Sequence, residues 1–591
     1  MRAVTVAVIA VLAVRTLARA DPPAHQRFTL YKFQNRIGIE DSIDDGREVR
    51  AVFTFTDRTS PVPLASVLER GKDGAPVRFQ IWGNTSRLFT VDDRVVVDGG
   101  KLTITQRGQT RSVAAPAQFF VGSAYAPVAM TQELLRYWAS HGKPASLPVF
   151  PIGTISIERR GEDTVTDRDG KPRALERFAV GGLGWGKETV WLDDKQQVAA
   201  LTGIDTEFDH FEATGREFGE ALGVFVARAA EDGLQALAET SRGLRVDGGD
   251  GTEIVAYVHA RLIDGTGAPP VADAVVVIDG GKITAAGPSS KVSVPAGART
   301  VDAAGATLVP GLWDMHAHFE QVEWGPVYLA AGVTTVRDCG NELDFVRAVR
   351  DTIDAGKGVG PRVLLACIVD GEGPGSLGTE RLTRSEDIPA LIKKFKAAGC
   401  AQVKIYQSLD PRLIRPLAAA AHAAGLTVTG HVPTGATAVQ AVTDGYDQIN
   451  HLQFVMRAFA DAGPGPDDDF ARRWHDKSVA LIGLLHKAGV PIVAGTDQAV
   501  PGHSLHREIE LYVEAGFTPM EALQAATIVP ARAMKKDKEL GTVEAGKRAD
   551  FLLIDGDPLA DIHALRKIRV VVAGGRAYDP AALWRSVGFT P

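Results

Sequence analysis

Hydrophobic and polar residues alternate in short runs over the first third of the chain, as in Phe28–Ile37, Val49–Phe55, Val77–Trp82 and Glu188–Leu192. Period-two alternation broken by turns such as Asp98-Gly99-Gly100 predicts a mostly antiparallel sheet over residues 21–205. An amphipathic stretch, Phe211–Thr240, predicts a helix, and Asp247-Gly248-Gly249-Asp250-Gly251 a linker. Together these define an N-terminal β-rich domain over residues 21–247. It carries no catalytic constellation. A plain scaffold, a substrate-docking module and a hydrophobic-ligand module all fit its pattern.

The pattern then changes. Glu253–Leu262 and Asp273–Thr284 read as strands, the latter folded at Asp279-Gly280-Gly281, and Ala549–Ile554 and Ile568–Tyr578 look like their counterparts near the far end. Residues 253–310 and 541–580 are therefore expected to assemble into one small composite β-sandwich. Between them strand-like runs alternate with helical ones: Thr334–Arg337, Arg362–Ile368, Gln402–Tyr406, Thr427–Gly430, Gln448–Asn450 and Pro491–Ala494. That alternation predicts an α/β fold with a parallel sheet, most economically a TIM-type (β/α) barrel over residues 311–540. Thr518-Pro519-Met520-Glu521 is a capping box with proline in the first turn of a helix.

Composition changes this picture little. The chain has 591 residues, 45% hydrophobic and 23% charged, with a net charge of −7 and no basic stripe suited to a phosphate backbone, which argues against nucleic acid as a partner. The N-terminus reads as a signal peptide over residues 1–20. Arg2 leads the apolar run Ala3–Val14, and Ala18-Arg19-Ala20 precedes Asp21. The run is too short to span a bilayer as a helix. The expected product is periplasmic or secreted, with no stable membrane span once the signal is removed. Cys339, Cys367 and Cys400 are odd in number and irregular in spacing, so no disulfide framework or thiolate metal site is expected, only buried small side chains.

The candidate chemistry starts at Val309-Pro310-Gly311-Leu312-Trp313-Asp314-Met315-His316-Ala317-His318. Alternate residues on a strand share a face, so His316 and His318 point the same way, about 6.5–7 Å apart along the backbone. Alone, the triplet also fits two packed histidines. Its place after a Pro-Gly turn, on the first barrel strand, favours a metal-chelating pair.

Several further motifs follow in order: Gly332-Val333-Thr334-Thr335-Val336-Arg337-Asp338, Val403-Lys404-Ile405-Tyr406, Gly430-His431-Val432-Pro433, Ile449-Asn450-His451 and Ala494-Gly495-Thr496-Asp497. With the opening Arg261-Leu262-Ile263-Asp264-Gly265 and the closing Gly546-Lys547-Arg548-Ala549-Asp550, the chain resembles the amidohydrolase superfamily over residues 253–580. The resemblance is to the branch of imidazolonepropionase-like enzymes and metal-dependent Xaa-Pro dipeptidases. It implies a metal-dependent-hydrolase barrel with two divalent metal ions. By that resemblance His316 and His318 hold the first metal, Lys404 bridges as a carbamate, His431 and His451 hold the second, and Asp497 completes the first site. Asp497 would also move the proton. Nitrogen and oxygen donors without thiolate suit zinc, and manganese, iron or cobalt would also fit.

Lys404 can be argued from its strand as well. If Val403 and Ile405 face the helices, Gln402, Lys404 and Tyr406 face the interior, where a lone ammonium is costly. A lysine reaching solvent or pairing with Asp497 is the competing reading. Tyr406 is a candidate oxyanion partner or a packing residue. His503, His506 and Arg457 are candidate substrate contacts, against helix-start and surface roles.

Only 45 residues separate His451 from Asp497, and Phe470–Ala488 is the one helix-like run among them, so the barrel reads as lacking one β/α unit or holding a shortened one. Three functions follow. The first is an amide hydrolase acting on a peptide-like or N-acyl small molecule in a dipeptidase-like manner. The second is a catalytically degenerate metal-binding protein, and the third a hydrolase of a cyclic amide or ester. A homo-oligomer is left open.

Overall fold

Alternating burial organises the first domain. Along the strand Glu48–Asp57, Val49, Ala51 and Phe53 are buried while Arg50, Val52 and Thr54 are exposed, the signature of a sheet with one covered face. The computed structural model describes residues 24–590 apart from 58–59, 86–89, 126, 206–208, 245–252, 374, 453–469 and 498–499. The expected signal peptide over residues 1–20, and Arg457, lie outside the described residues.

Fifteen strands between Ala24 and Gly215 form one continuous sheet. All neighbours are antiparallel except Phe120–Val121, which pairs parallel with Leu147–Phe150. The first strand, Ala24–Lys32, closes against the last, His210–Gly215, with Phe28 opposite Gly215. The helix Val128–Ser140 belongs to the same core, burying Val128, Met130, Leu134 and Leu135 with Phe53, Phe79 and Val190.

Two expectations change here. The run Phe28–Ile37 is two strands, because the chain reverses at Phe33-Gln34 between Ala24–Lys32 and Asn35–Asp44. The stretch from Phe211 begins as a strand, and its helix starts only at Leu222 and ends at Ser241. Phe211, Ala213 and their neighbours pair with the first strand, so tertiary pairing overrides the helical periodicity there.

An eight-stranded sheet follows, built from both flanks of the rest of the chain. Thr307–Pro310 pairs antiparallel with Phe551–Ile554, with Thr307 opposite Ile554. The strands are linked by hydrogen bonding into one sheet, with Arg299–Asp302 pairing off the main path.

Between these flanks five strands run parallel and in chain order: Leu312–Ala317, Val333–Asp338, Arg362–Val369, Gln402–Ile405 and Thr427–Gly430. The first two are buried at every residue, as expected when both faces are covered. Helices between the strands cover the outer face, where Val403 and Ile405 share a core with Leu391, Phe395, Ile414 and Leu417.

The sheet curls strongly. In a flat sheet the first and fourth strands would lie about 14 Å apart, yet Lys404 Nζ on the fourth is 3.3 Å from His316 Nε2 on the first. Arg337, on the second strand, likewise donates to Gln402 Oε1 on the fourth, at 2.8 Å. Gln448–Asn450 and Pro491–Ala494 are not regular strands. They still line the two edges, with Asn450 N bonded to Gly430 O (3.0 Å) and Met315 N to Ala494 O (2.8 Å).

Cys367 and Cys400 form a disulfide, correcting the expectation of unpaired cysteines. Cys367 sits on the third parallel strand and Cys400 just before the fourth, so strand pairing brings their Cα atoms to 5.9 Å despite a separation of 33 residues. Cys339 keeps a free, buried thiol. No helix among the described residues is long and apolar enough to cross a membrane.

Candidate metal centre

The inner face of the curled sheet collects the titratable residues singled out by the motifs. His316 is 6% exposed, at the end of the first parallel strand. Its Nε2 lies 3.3 Å from Lys404 Nζ and 3.3 Å from Asp497 Oδ1, and its Nδ1 is 3.0 Å from the amide nitrogen of Asn450. His318 donates from Nδ1 to Gly340 O at 2.8 Å, which fixes the ring and turns Nε2 toward Asp497 Oδ1, 3.2 Å away. A backbone carbonyl on the far nitrogen is the usual arrangement for a metal-binding imidazole.

His431 and His451 come from consecutive segments and meet with Nε2 atoms 2.9 Å apart, and His451 Nδ1 is 3.6 Å from Asp497 Oδ2. Ligand atoms of His316, His451 and Asp497 all fall within 4.8 Å of one another. Lys404 is 1% exposed beside them.

Local backbone features place these groups. Gly430 has φ +145, and a Cβ there would lie 2.1 Å from Ile405 O, so glycine lets the chain turn into His431 against the fourth strand. A Cβ on Gly495 would come within 2.8 Å of the His316 nitrogen, so only glycine lets the Asp497 loop pass so close to the first strand. His451 (φ 64) and Asp497 (φ 50) are both left-handed. Non-glycine residues hold that conformation where surrounding contacts impose it, and such positions gather at functional sites.

Burial and charge set the protonation of the cluster. Burial first, then Lys404, holds His316 and His431 well below the usual imidazole range, and burial brings His451 down to about 4. These rings are neutral at pH 7 and offer lone pairs. Burial also acts to discharge His318, but the hydrogen bond and charge of Asp497 outweigh it and hold the ring at about 10. Lys404 is lowered, chiefly by burial.

Known proteins match part of the chain, and the family-model match includes Asp497. Residues 469–577 match the family model described as the Amidohydrolase family. Adenine deaminase 2 of Rhizobium meliloti is 30% identical over 306 residues, covering 46% of this chain and 50% of that protein. Adenine deaminase 2 of Rhizobium johnstonii is 28% identical over 311 residues, covering 47% and 49%. The chain thus spans about half the length of the curated relatives it matches. These matches support a place in the amidohydrolase superfamily.

Among solved amidohydrolase-like structures, a Xaa-Pro dipeptidase with bound methionine is 22% identical, with a TM-score of 0.47, covering 55% of this chain and 100% of that one. Phenylurea hydrolase B is 24% identical, with a TM-score of 0.48, covering 56% and 98%.

Not every candidate joins the amidohydrolase cluster. Tyr406 is buried, its ring 4.1 Å from that of His431, and it packs with Phe33, Ile368 and Leu377. His506 is 4% exposed, with Nε2 2.9 Å from Ala331 O. That bond ties its helix to the adjoining turn. His503 is exposed beside Arg566, 3.4 Å away, and also stands apart from the ligands.

Two residues that matter went unassigned in the sequence. Asp314 is fully buried and accepts from His316 N (3.0 Å), Thr496 N (3.1 Å) and Thr496 Oγ1 (2.7 Å), anchoring the Asp497 loop to the first strand. Its alternation with His316 was the available signal. Asn450, hydrogen-bonded by Thr429 Oγ1 at 2.7 Å, steadies His316.

The protonation pattern gives a pH prediction. With His318 held at about 10, the metal-free protein keeps that proton across neutral pH and must release it when Nε2 takes a cation. His451, at about 4, contributes no proton there. Metal affinity is expected to rise about tenfold per pH unit between about pH 6 and 8, measured by competition with a chelator of known affinity. A flat profile would place His318 outside the binding set.

Proposed function

We propose that this chain is a metal-dependent hydrolase cleaving a carbon–nitrogen bond in a peptide-like or N-acyl small molecule, and that its curled parallel unit is a (β/α) barrel of the metal-dependent-hydrolase type. One observation carries the reading. His316, His318, Lys404, His431, His451 and Asp497 come from five segments of chain, and neighbours among them approach to 2.9–3.6 Å.

The donor set fits divalent cations. Three neutral imidazoles, a fourth that releases its proton on binding, and a carboxylate, without thiolate, suit zinc or manganese. His316, His318 and Asp497 would hold one ion and His431 and His451 a second, with Lys404 between them. When bound, such a pair supplies Lewis acidity toward a substrate carbonyl and makes a water molecule more acidic.

The residues of the chain do the rest. Asp497 is half-exposed at the rim, where it can take a proton from water and pass it to the leaving nitrogen. Lys404, whose burial lowers its proton affinity, gives up a proton more readily than an exposed lysine to leave a nucleophilic amine. Its lone pair can add to the carbon of carbon dioxide. An N–C bond forms, one C–O π pair becomes the oxygen's negative charge, and the Nζ proton leaves to water. The resulting carbamate is an anion where a buried cation would be costly. Tyr406 packs behind His431, and its assigned role is to steady an oxyanion from there. The Cys367–Cys400 disulfide supports export to the periplasm or beyond, since such bonds persist in oxidising compartments.

Identity to adenine deaminases of up to 30% favours a second reading within the same chemistry, in which the bond broken joins an amino group to a heterocycle. A panel of dipeptides (including proline second), N-acyl amino acids and aminopurines, assayed for released amine and ammonia, separates the two. Hydrolysis of any member that disappears on chelation supports the metal-dependent proposal. Bound metal with no turnover across the panel would instead favour a degenerate binding protein.

A further inference from the structure

A second buried constellation lies where the N-terminal sheet meets the parallel unit. His210 and Glu212 alternate on the strand His210–Gly215 and so share a face. Glu342 comes from the N-terminus of the helix Leu343–Asp354, and Glu320 from the loop after the first parallel strand. His210 Nδ1 lies 3.2 Å from Glu342 Oε2. Its Nε2 lies 2.6 Å from Glu320 O and 3.4 Å from Glu320 Oε2. One ligand atom from each of His210, Glu212 and Glu342 falls within 4.8 Å of the others.

An independent observation points to an absent occupant. Gln321 Nε2 is buried with no hydrogen-bond partner among the described residues, and Glu320 Oε2 has only the 3.4 Å ion pair with His210; Glu320 and Gln321 are 2% and 8% exposed. Both line a cavity of about 120 Å³, open to solvent, whose wall includes His210, Glu212 and Glu342.

The neighbouring backbone depends on this cluster. The hairpin tip Phe33-Gln34 has φ of 47 and 59, both left-handed without glycine. Gln34 bonds Glu212 Oε2 through its backbone nitrogen (3.0 Å) and Glu342 Oε1 through its side chain (2.7 Å). Phe33 stacks on His210 at 5.2 Å and packs against Tyr406, which backs His431.

We propose that His210, Glu212 and Glu342, with Glu320 beside them, form a divalent-cation site that fastens the N-terminal hairpin to the catalytic unit. Imidazole nitrogen and carboxylate oxygen suit manganese or zinc. The site uses none of the residues of the candidate metal centre, so it stands whether or not the hydrolase reading does.

The test uses the full chain, stripped with chelator, reloaded with Mn²⁺, desalted and analysed for metal. Glu212→Gln and Glu342→Gln are each expected to bind about one equivalent less than wild type, while His431→Ala/His451→Ala retains that equivalent. Mn²⁺ should raise the Tm of His431→Ala/His451→Ala, and adding Glu212→Gln should abolish the rise. Folded Glu212→Gln and Glu342→Gln proteins that hold as much metal as wild type would overturn the proposal. Should those variants not fold, His316→Ala/His318→Ala/His431→Ala/His451→Ala decides alone: a retained equivalent with a Tm rise supports the site, and a metal-free protein indifferent to Mn²⁺ overturns it.

Discussion

Asp497→Asn is expected to lower kcat by about 10³-fold on whichever substrate the wild type hydrolyses, with KM changed far less. The substitution keeps the size of the side chain and removes its charge. It takes away the proton acceptor and one ligand of the cation. It also removes the partner that holds His318 protonated, since the Asp497 carboxylate is what raises that ring to about 10. His318 in the metal-free variant should therefore titrate at lower pH than in wild type, which NMR of the imidazole can follow. Asp497 is turned inward by a left-handed backbone and by the Thr496–Asp314 bonds, so its loss should not displace the loop. Unchanged turnover would remove Asp497 from the chemistry.

Lys404→Ala should have the larger effect on metal. Lys404 lies at the centre of the cluster, 1% exposed and 3.3 Å from His316. With no anion between the two histidine pairs, binding of the second cation should fall by about 10²-fold or more, read as metal per chain after gel filtration. Lys404→Arg should not restore it, because a guanidinium stays cationic and takes up no carbon dioxide. Bicarbonate is expected to speed metal reconstitution of the wild type and to leave Lys404→Ala unaffected. A Lys404→Ala protein that loads metal like wild type would show that the lysine is a satisfied core residue.

The readable parts of the sequence were those where local pattern and global fold agree. The four parallel strands from Val333 to Gly430 lie within a few residues of their expected bounds, because buried parallel strands are short apolar runs bounded by turns. The inward face of the fourth strand followed from alternation, and Gln402 and Lys404 are both buried there. The six motif residues could be named because each belongs to a short motif in a fixed order. Their meeting in space could not be read from spacing, since it depends on how far the sheet curls.

What stayed hidden was set by tertiary contact. Phe33-Gln34 carries no turn chemistry, and its reversal is held by the catalytic unit: Phe33 packs on Ile368, Leu377 and Tyr406, and Gln34 bonds Glu342. The same docking could not be foreseen from an N-terminal domain that reads as a plain sheet. Cys367 and Cys400 are joined by the pairing of neighbouring strands, which irregular spacing does not reveal. His506 follows Asp497 closely in sequence, yet its helix turns it toward Ala331.

Anomalous diffraction from crystals of the wild-type protein grown with Mn²⁺ or Zn²⁺ bears most directly on the central claim. Two peaks about 3.5–4 Å apart, enclosed by His316, His318, Lys404, His431, His451 and Asp497, are the expected result. A map with no peak among those six side chains, from protein that is folded and metal-replete, would contradict it.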